Sequence, residues 1–437
     1  MNQIKISIPF DETALGIEIP SDAVVYQTSY PLPSGTAALI VMDALRRPVW
    51  SLPLKTALAK RRNGEVVIVV SDITRPIPYR EFLPEMLDEI TSAGVSRDDI
   101  RILVATGMHR PSTEKERRYM FGDIANQYKI EDHDAEGALE KIEGRSHSGR
   151  LVFLNKSFVN AGFRIITGLV EPHFMAGFSG GRKAVCPGLV SLETIQTFHG
   201  YDFLNSANAV NANLDGNPCH QEALSVARHA GVDFSLNVVL DTQKRVIRAF
   251  AGDLEAAHLE ACAFVRDHAC PGVLEEADVV LTGCGGYPLD ATFYQCVKGI
   301  VAAIPAVKPG GLIIAAGGCR EKMGSAEYCA LMRSCADDYR GFLHRIRSAE
   351  IVDKDQWQFQ MQTRALEKVG NEGIVMFSVG LDDSESRYIA GRHQRVSPET
   401  AAKEIQAFIN ALVSSCKRLA VIPEGPYCTP VSGGNRL

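Results

Sequence analysis

Three stretches of this chain repeat one pattern, a continuous run of β-branched and aliphatic residues that stops in a polar turn. Residues 65–70 (EVVIVV) end in Ser71, Asp72, Ile73, Thr74, Arg75 and Pro76; residues 99–105 (DIRILVA) end in Thr106, Gly107, Met108, His109, Arg110 and Pro111; residues 164–167 lead to Glu171, Pro172 and His173. An unbroken apolar run needs cover on both faces, which is the condition of a parallel strand in an α/β sheet. Amphipathic stretches separate the runs, at 36–45 and at 84–93, the second closed by Gly94. In open parallel sheets ligands bind beyond the carboxyl ends of the strands. Asp72 with Arg75, His109 and His173 are therefore expected on one rim, far apart as they are in sequence.

The remaining chain extends the same reading. Residues 3–9 and those around Glu18 alternate polar and apolar side chains, as in a small hairpin, and 132–150 read as loop. Runs at 277–282 (ADVVLT), 311–316 (GLIIAA) and 373–379 (GIVMFSV), with helices at 291–301, 326–332 and 398–412, predict a second α/β unit. The expected division is an N-terminal α/β domain over 1–270 and a C-terminal α/β domain over 271–437, cut near Pro271. A net charge of −6 argues against a nucleic-acid partner. Eleven cysteines without a C-x-x-C pair indicate neither a zinc cluster nor a disulfide framework. The start MNQIKISIPF lacks the pattern of a signal peptide, and no run approaches a membrane span, so a cytoplasmic protein without membrane contacts is expected.

Residues 165–200 concentrate the chemistry. Gly177 to Lys183 (GFSGGRK) resembles an anion-cradling turn, with Gly177, Gly180 and Gly181 letting backbone N–H groups approach a phosphate, Ser179 among them, and Arg182 and Lys183 supplying charge. It lacks the spacing of a Walker A loop, and a plain turn with a solvated lysine accounts for it equally well. Burial, or Arg182, would make Lys183 a nucleophile. Ser191 is placed to cap a helix that ends at His199, where the helix dipole favours an imidazolium. His109 and His173 stand where general acids and bases sit on such a scaffold, although each taken singly suits a surface position. Arg75 suits bidentate carboxylate recognition and Asp72 the orientation of a neighbouring Arg or His; a loop salt bridge is the simpler alternative. Tyr294 and Lys298 share a helix face, with Gln295 beside them.

Taken in order, the motifs Asp72-Ile73-Thr74-Arg75-Pro76, Thr106 to Pro111, Glu171-Pro172-His173, Gly177 to Lys183, His199, and Tyr294-Gln295 with Lys298 resemble those of the nickel-dependent lactate racemase family. The resemblance runs from about residue 65 to 360. It implies a two-domain α/β enzyme with its active site in the interdomain cleft and a nickel-pincer nucleotide as cofactor, a pyridinium-3,5-bisthiocarboxylic acid mononucleotide whose sulfurs and ring carbon hold nickel. It assigns Lys183 to a covalent link with that cofactor, His199 to nickel, and His109 and His173 to catalysis as two bases. Arg75, Tyr294, Gln295, Lys298 and Trp357 correspond to substrate-positioning groups. Asp72, Thr74, the loop glycines, Ser179 and Arg182 correspond to cofactor contacts.

The implied reaction inverts C2 of a 2-hydroxy acid by hydride transfer through a 2-oxo acid, with lactate as the default substrate. Larger acids such as malate, phenyllactate or gluconate are alternatives, as is a non-catalytic nickel-nucleotide carrier. A metal hydrolase using His109 and His173 as ligands is a further alternative, disfavoured by the missing H-E-x-x-H spacing. Implied partners are the small-molecule acid and the proteins that make the cofactor; the sequence leaves the oligomeric state open.

Overall fold

The computed structural model describes residues 2–349, 351–413 and 418–432. They form two compact units, each assembled from separate stretches of chain. The first unit comprises Tyr30–His199 and Asn213–Val265; the second takes the segment up to Ser29, Gly200–Ala212, and the chain from Arg266 onward. A single cut near Pro271 does not describe this division. The reason is packing: Ile8, Phe10, Leu15, Ile17 and Ile19 of the N-terminal hairpin share a core with Val279, Leu281, Ile314 and Val421.

In the first unit six strands lie in the spatial order Val246–Gly252, Phe234–Leu240, Phe163–Leu169, Val66–Ser71, Ile100–Ala105 and Lys129–Asp132. All neighbours are parallel except the first pair. Val66 to Val70 are wholly buried, as an unbroken apolar run requires. Helix Leu83–Ser92 covers them with Leu83, Met86, Leu87 and Ile90, the spacing of one helical face, and carries Pro84 in its first turn where no N–H is missed. Helix Ala37–Arg46 is capped by Thr36, whose side chain accepts from the Leu39 N–H. Residues 132–150, read as loop, include Leu139–Lys141, which pairs antiparallel with Phe153–Asn155.

The order of these strands positions the site. From Val66–Ser71 the chain steps outward to Ile100–Ala105 and Lys129–Asp132, then returns to lay Phe163–Leu169 on the other side of Val66–Ser71. The reversal opens a crevice at the carboxyl ends of those two central strands.

The second unit holds the antiparallel hairpin Gln3–Phe10 with Thr13–Pro20 and a six-stranded parallel sheet. Its order is Arg392–Arg395, Ile374–Ser378, Val307–Ala316, Ala277–Gly283, Leu419–Ile422 and Val24–Val25. No helix among the described residues is long and apolar enough to cross a membrane.

Candidate active site

Asp72 is the first residue beyond strand Val66–Ser71, and His109 lies in the turn beyond Ile100–Ala105. The parallel pairing of these strands brings the two turns together, and His109 Nδ1 sits 2.6 Å from Asp72 Oδ2. The other carboxylate oxygen accepts from Thr74 N at 3.1 Å and Thr74 Oγ1 at 2.5 Å. Burial pushes the Asp72 carboxyl up, but the His109 contact, Thr74 and the Arg75 charge outweigh it and hold it below the usual range. An ionised Asp72 accepts from His109 Nδ1–H, which leaves the lone pair of this exposed imidazole on Nε2. Arg75 is half-buried beside them.

His173 stands in a short hairpin in which Pro172–His173 pairs with Gly177–Phe178. Its Nδ1 accepts backbone N–H groups from Met175 at 3.4 Å and Ala176 at 3.3 Å. A neutral ring with an accepting Nδ1 carries its proton on Nε2, and that atom lies 3.4 Å from Lys183 Nζ. The two imidazoles therefore present opposite forms at Nε2, a lone pair on His109 and an N–H on His173.

The glycine loop is buried and serves its own packing. A Cβ at Gly181, where φ is +51°, would stand 2.6 Å from the His258 ring, and one at Gly180, where φ is +73°, 2.7 Å from Val170. Gly177 likewise has positive φ. Ser179 Oγ donates to Leu169 O at 2.7 Å and accepts from Glu171 N at 3.0 Å. Asn237 on the neighbouring strand accepts from Gly181 N at 2.8 Å. The guanidinium of Arg182 is buried and turned inward, donating to Ala176 O at 2.8 Å, Phe178 O at 2.9 Å and Gly180 O at 3.3 Å, with His258 Nε2 at 2.9 Å. Sequence reading gives Arg182 and Ser179 to a phosphate; in the structure their side chains hold the loop.

Lys183 follows at the end of this loop, its Nζ 5.1 Å from the centre of the Phe198 ring. Burial, then the charges of Arg182 and Arg75, lower its pKa to about 7, so a large fraction of the amine is neutral near neutral pH. His199 closes helix Leu192–Phe198, which is capped by Ser191. Its Nδ1 donates to Ile195 O at 2.8 Å, which puts the lone pair on Nε2. The helix C-terminus favours an imidazolium by a fraction of a kilocalorie or so. Burial and the Lys183 charge override it and push His199 down to about 3.

In the second unit Tyr294, Gln295 and Lys298 occupy the first turns of helix Phe293–Ala303. Trp357, in the first turn of helix Gln356–Val369, donates its indole N–H to Tyr294 Oη at 2.9 Å. Sequence reading missed the support that Phe198 gives Lys183, Asn237 gives Gly181 and His258 gives Arg182; of these only Phe198, next to His199, lies beside a residue already singled out. Among the described residues no group of three or more His, Cys, Asp or Glu side chains could hold a metal ion. A metal held by His199 would need further donors, and a neutral imidazole near an amine that is partly neutral at pH 7 fits a cofactor that brings its own.

A family model described as lactate racemase N-terminal domain matches residues 10–212, and one described as lactate racemase C-terminal domain matches residues 274–426. The chain is 33% identical over 431 residues to a lactate racemase of Thermoanaerobacterium thermosaccharolyticum, covering 96% of this chain and 97% of that one. It is 36% identical over 373 residues to a lactate racemase of Lactiplantibacillus plantarum, covering 83% and 86%. The solved apoprotein of lactate racemase from T. thermosaccharolyticum superposes with a TM-score of 0.86 at 31% identity, covering 98% of this chain and all of that one. A Thermotoga maritima protein, at 17% identity and a TM-score of 0.63, shares the fold.

Proposed function

Because the chain belongs to the lactate racemase family, a family of isomerases, we propose that it inverts C2 of a 2-hydroxy acid, with lactate as the default substrate, using a nickel-pincer nucleotide. The observation that carries this reading is the pair of imidazoles held in opposite states: His109 has its lone pair on Nε2 through Asp72, and His173 has its proton on Nε2 through two backbone N–H groups. Inversion at a hydroxyl-bearing carbon through a planar intermediate needs one group to take the hydroxyl proton and another to return it. His109 Nε2 takes that proton; the proton returned on the other side comes from His173 in its imidazolium form, since a neutral ring giving up its Nε2 proton would be left as imidazolate, and the reverse reaction exchanges the roles.

Lys183, its amine about half neutral near pH 7, is the residue to form a covalent link with the cofactor, and His199 Nε2 the protein ligand to nickel. When bound, the nucleotide supplies a hydride acceptor and donor. Asp72, Thr74 and the backbone of Gly177 and Gly180 would hold it, while the Gly181 N–H is given to Asn237, and Ser179 and Arg182 keep the loop in shape. Arg75 and Lys298 bind the substrate carboxylate; Tyr294, Gln295 and Trp357 fix its position.

The test is a chiral assay of the cofactor-loaded enzyme on single enantiomers of lactate, malate, phenyllactate and gluconate. The expected result is inversion of one acid at C2 with no external nicotinamide consumed. A panel left unchanged with nickel and nucleotide verified in the protein would remove the reading.

A further inference from the structure

Strand Val66–Ser71 keeps its two neighbours for unequal lengths. With Ile100–Ala105 it stays paired to its last residue, Ser71 opposite Ala105; with Phe163–Leu169 the pairing ends at Val69 opposite Ile166. The crevice opens beyond that point, and backbone groups where the strands part need other partners. Two buried hydroxyls supply them. Thr167 Oγ1 donates to Val69 O at 2.8 Å, and Ser71 N donates to Tyr79 Oη at 2.8 Å. The two hydroxyl oxygens are 2.8 Å apart, and since the Thr167 proton goes to Val69 O, the Tyr79 proton goes to Thr167 Oγ1. From Ser71 N–H through Tyr79 and Thr167 to the Val69 carbonyl, the bonds run in one direction.

Tyr79 reaches this place because the chain turns back on itself. Arg75 N donates to Asp72 O at 3.1 Å, Ile77 N to Arg75 O at 2.8 Å and Tyr79 N to Ile77 O at 2.8 Å. These tight turns bring the Tyr79 side chain to the N–H of the residue before Asp72, and that bond closes the loop that carries Asp72, Thr74 and Arg75. The ring is anchored from behind by Phe82 and Phe121, with centroids 5.6 and 5.9 Å away. Burial raises the phenol above its ordinary range against the bonds from Thr167 and Ser71, and the Asp72 charge adds to the rise, so the hydroxyl keeps its proton.

We propose that Tyr79 is a positioning residue: its hydroxyl clasps the base of the loop from Ser71 to Tyr79 where the two strands part, and so aims the Asp72 carboxylate at His109 Nδ1. The functional side of this rests on His109 acting as a base on a 2-hydroxy acid. Phe82 and Phe121 would hold a phenylalanine ring equally well, so the hydroxyl, rather than the bulk of the side chain, carries the effect.

The test combines a spectroscopic and a kinetic arm. Tyr79→Phe keeps the ring and deletes the hydroxyl; Thr167→Val breaks the next bond along, and Thr167→Ser keeps it. In protein free of cofactor at about pH 8.5, above the ordinary imidazole range, long-range proton–nitrogen NMR reads the tautomer of His109, whose signals are those lost in His109→Gln. The wild type should show the Nδ1–H form. Tyr79→Phe and Thr167→Val should each move His109 towards the Nε2–H form, and Thr167→Ser should not. In the loaded enzyme, Tyr79→Phe should lower kcat about tenfold, and in an Asp72→Asn background it should change kcat less than about twofold. A tautomer unmoved in both Tyr79→Phe and Thr167→Val, or equal losses of kcat with and without the Asp72 carboxylate, would overturn the assignment. If the loaded wild type inverts no 2-hydroxy acid, the racemase reading falls, and the tautomer of His109 alone decides whether Tyr79 aims Asp72.

Discussion

His109 and His173 are the same side chain beyond two strands that flank Val66–Ser71, yet their Nδ1 atoms meet opposite partners. A carboxylate faces Nδ1 of the first and two backbone N–H groups face Nδ1 of the second. The difference teaches that the partner of the remote ring nitrogen, rather than the histidine, decides whether the outer nitrogen of a neutral ring presents a lone pair or an N–H. The exposed ring is set by a buried anion, the half-buried ring by a turn of its own chain.

The severest way to break this comparison is to make the two rings alike. In Asp72→Asn an amide N–H can face His109 Nδ1 and hold the ring in the tautomer of His173. Turnover of the loaded enzyme should fall roughly 100- to 10,000-fold, as for loss of a positioned general base, and His109→Ala and His173→Ala should fall as far with little change in Tm. Full activity in either alanine variant would end the two-base assignment.

A smaller effect concerns the amine beside His173. Lys183 reacts as a neutral nucleophile only as pH rises through about 7, so an amine-acylating reagent should modify it in the cofactor-free protein with a midpoint near that value. At pH 7.5 its rate should exceed that of surface lysines by roughly tenfold or more, measured by peptide mass spectrometry. A midpoint shared with surface lysines would mean that burial does not keep the amine neutral.

The smallest effect comes from an imidazole with neither kind of partner. His220, on helix Pro218–Ala230, is buried with its Nδ1 lacking a hydrogen bond, and burial followed by the charges of Arg182 and Arg228 pushes it down to about 3. The folded ring stays neutral where the unfolded one takes a proton, so stability is lost as pH falls from about 6.5 towards 3. His220→Leu should remove that loss, gaining about 1 kcal/mol at pH 5.5 relative to its own difference at pH 7.5. Urea unfolding at the two pH values checks it, and an unchanged difference would show that His220 is protonated in the fold.

The strands of the first sheet were legible because burial on both faces leaves an unbroken apolar run, and the placement of Asp72, His109 and His173 beyond strand ends was legible because a polar turn closes each run. Helix Gln356–Val369 was not. Gln358, Gln360 and Gln362 are buried in it and donate to the carbonyls of Tyr294, Tyr201 and Ile389, so polar residues occupy positions where periodicity expects apolar ones. Strands Val24–Val25 and Leu419–Ile422 are too short to announce themselves. Within the glycine loop, sequence shows the presence of Arg182 but not the direction of its guanidinium, and that direction separates a phosphate donor from a brace for three carbonyls. His199 shows the same limit: a helix end predicts an imidazolium, and only packing reveals the burial that prevents it.

The edge strand of the second sheet has a consequence for synthesis. Val24 pairs with Ala420, nearly four hundred residues later. At ~5–20 residues per second a ribosome takes roughly 20–80 s to cover that interval. The first unit, whose last residue is Val265, is fully synthesised well before then. The hairpin Gln3–Phe10 with Thr13–Pro20 must meanwhile keep its apolar face from other nascent chains, so slowing translation after Val265 should lengthen its exposure to chaperones without delaying the unit that carries His109 and His173.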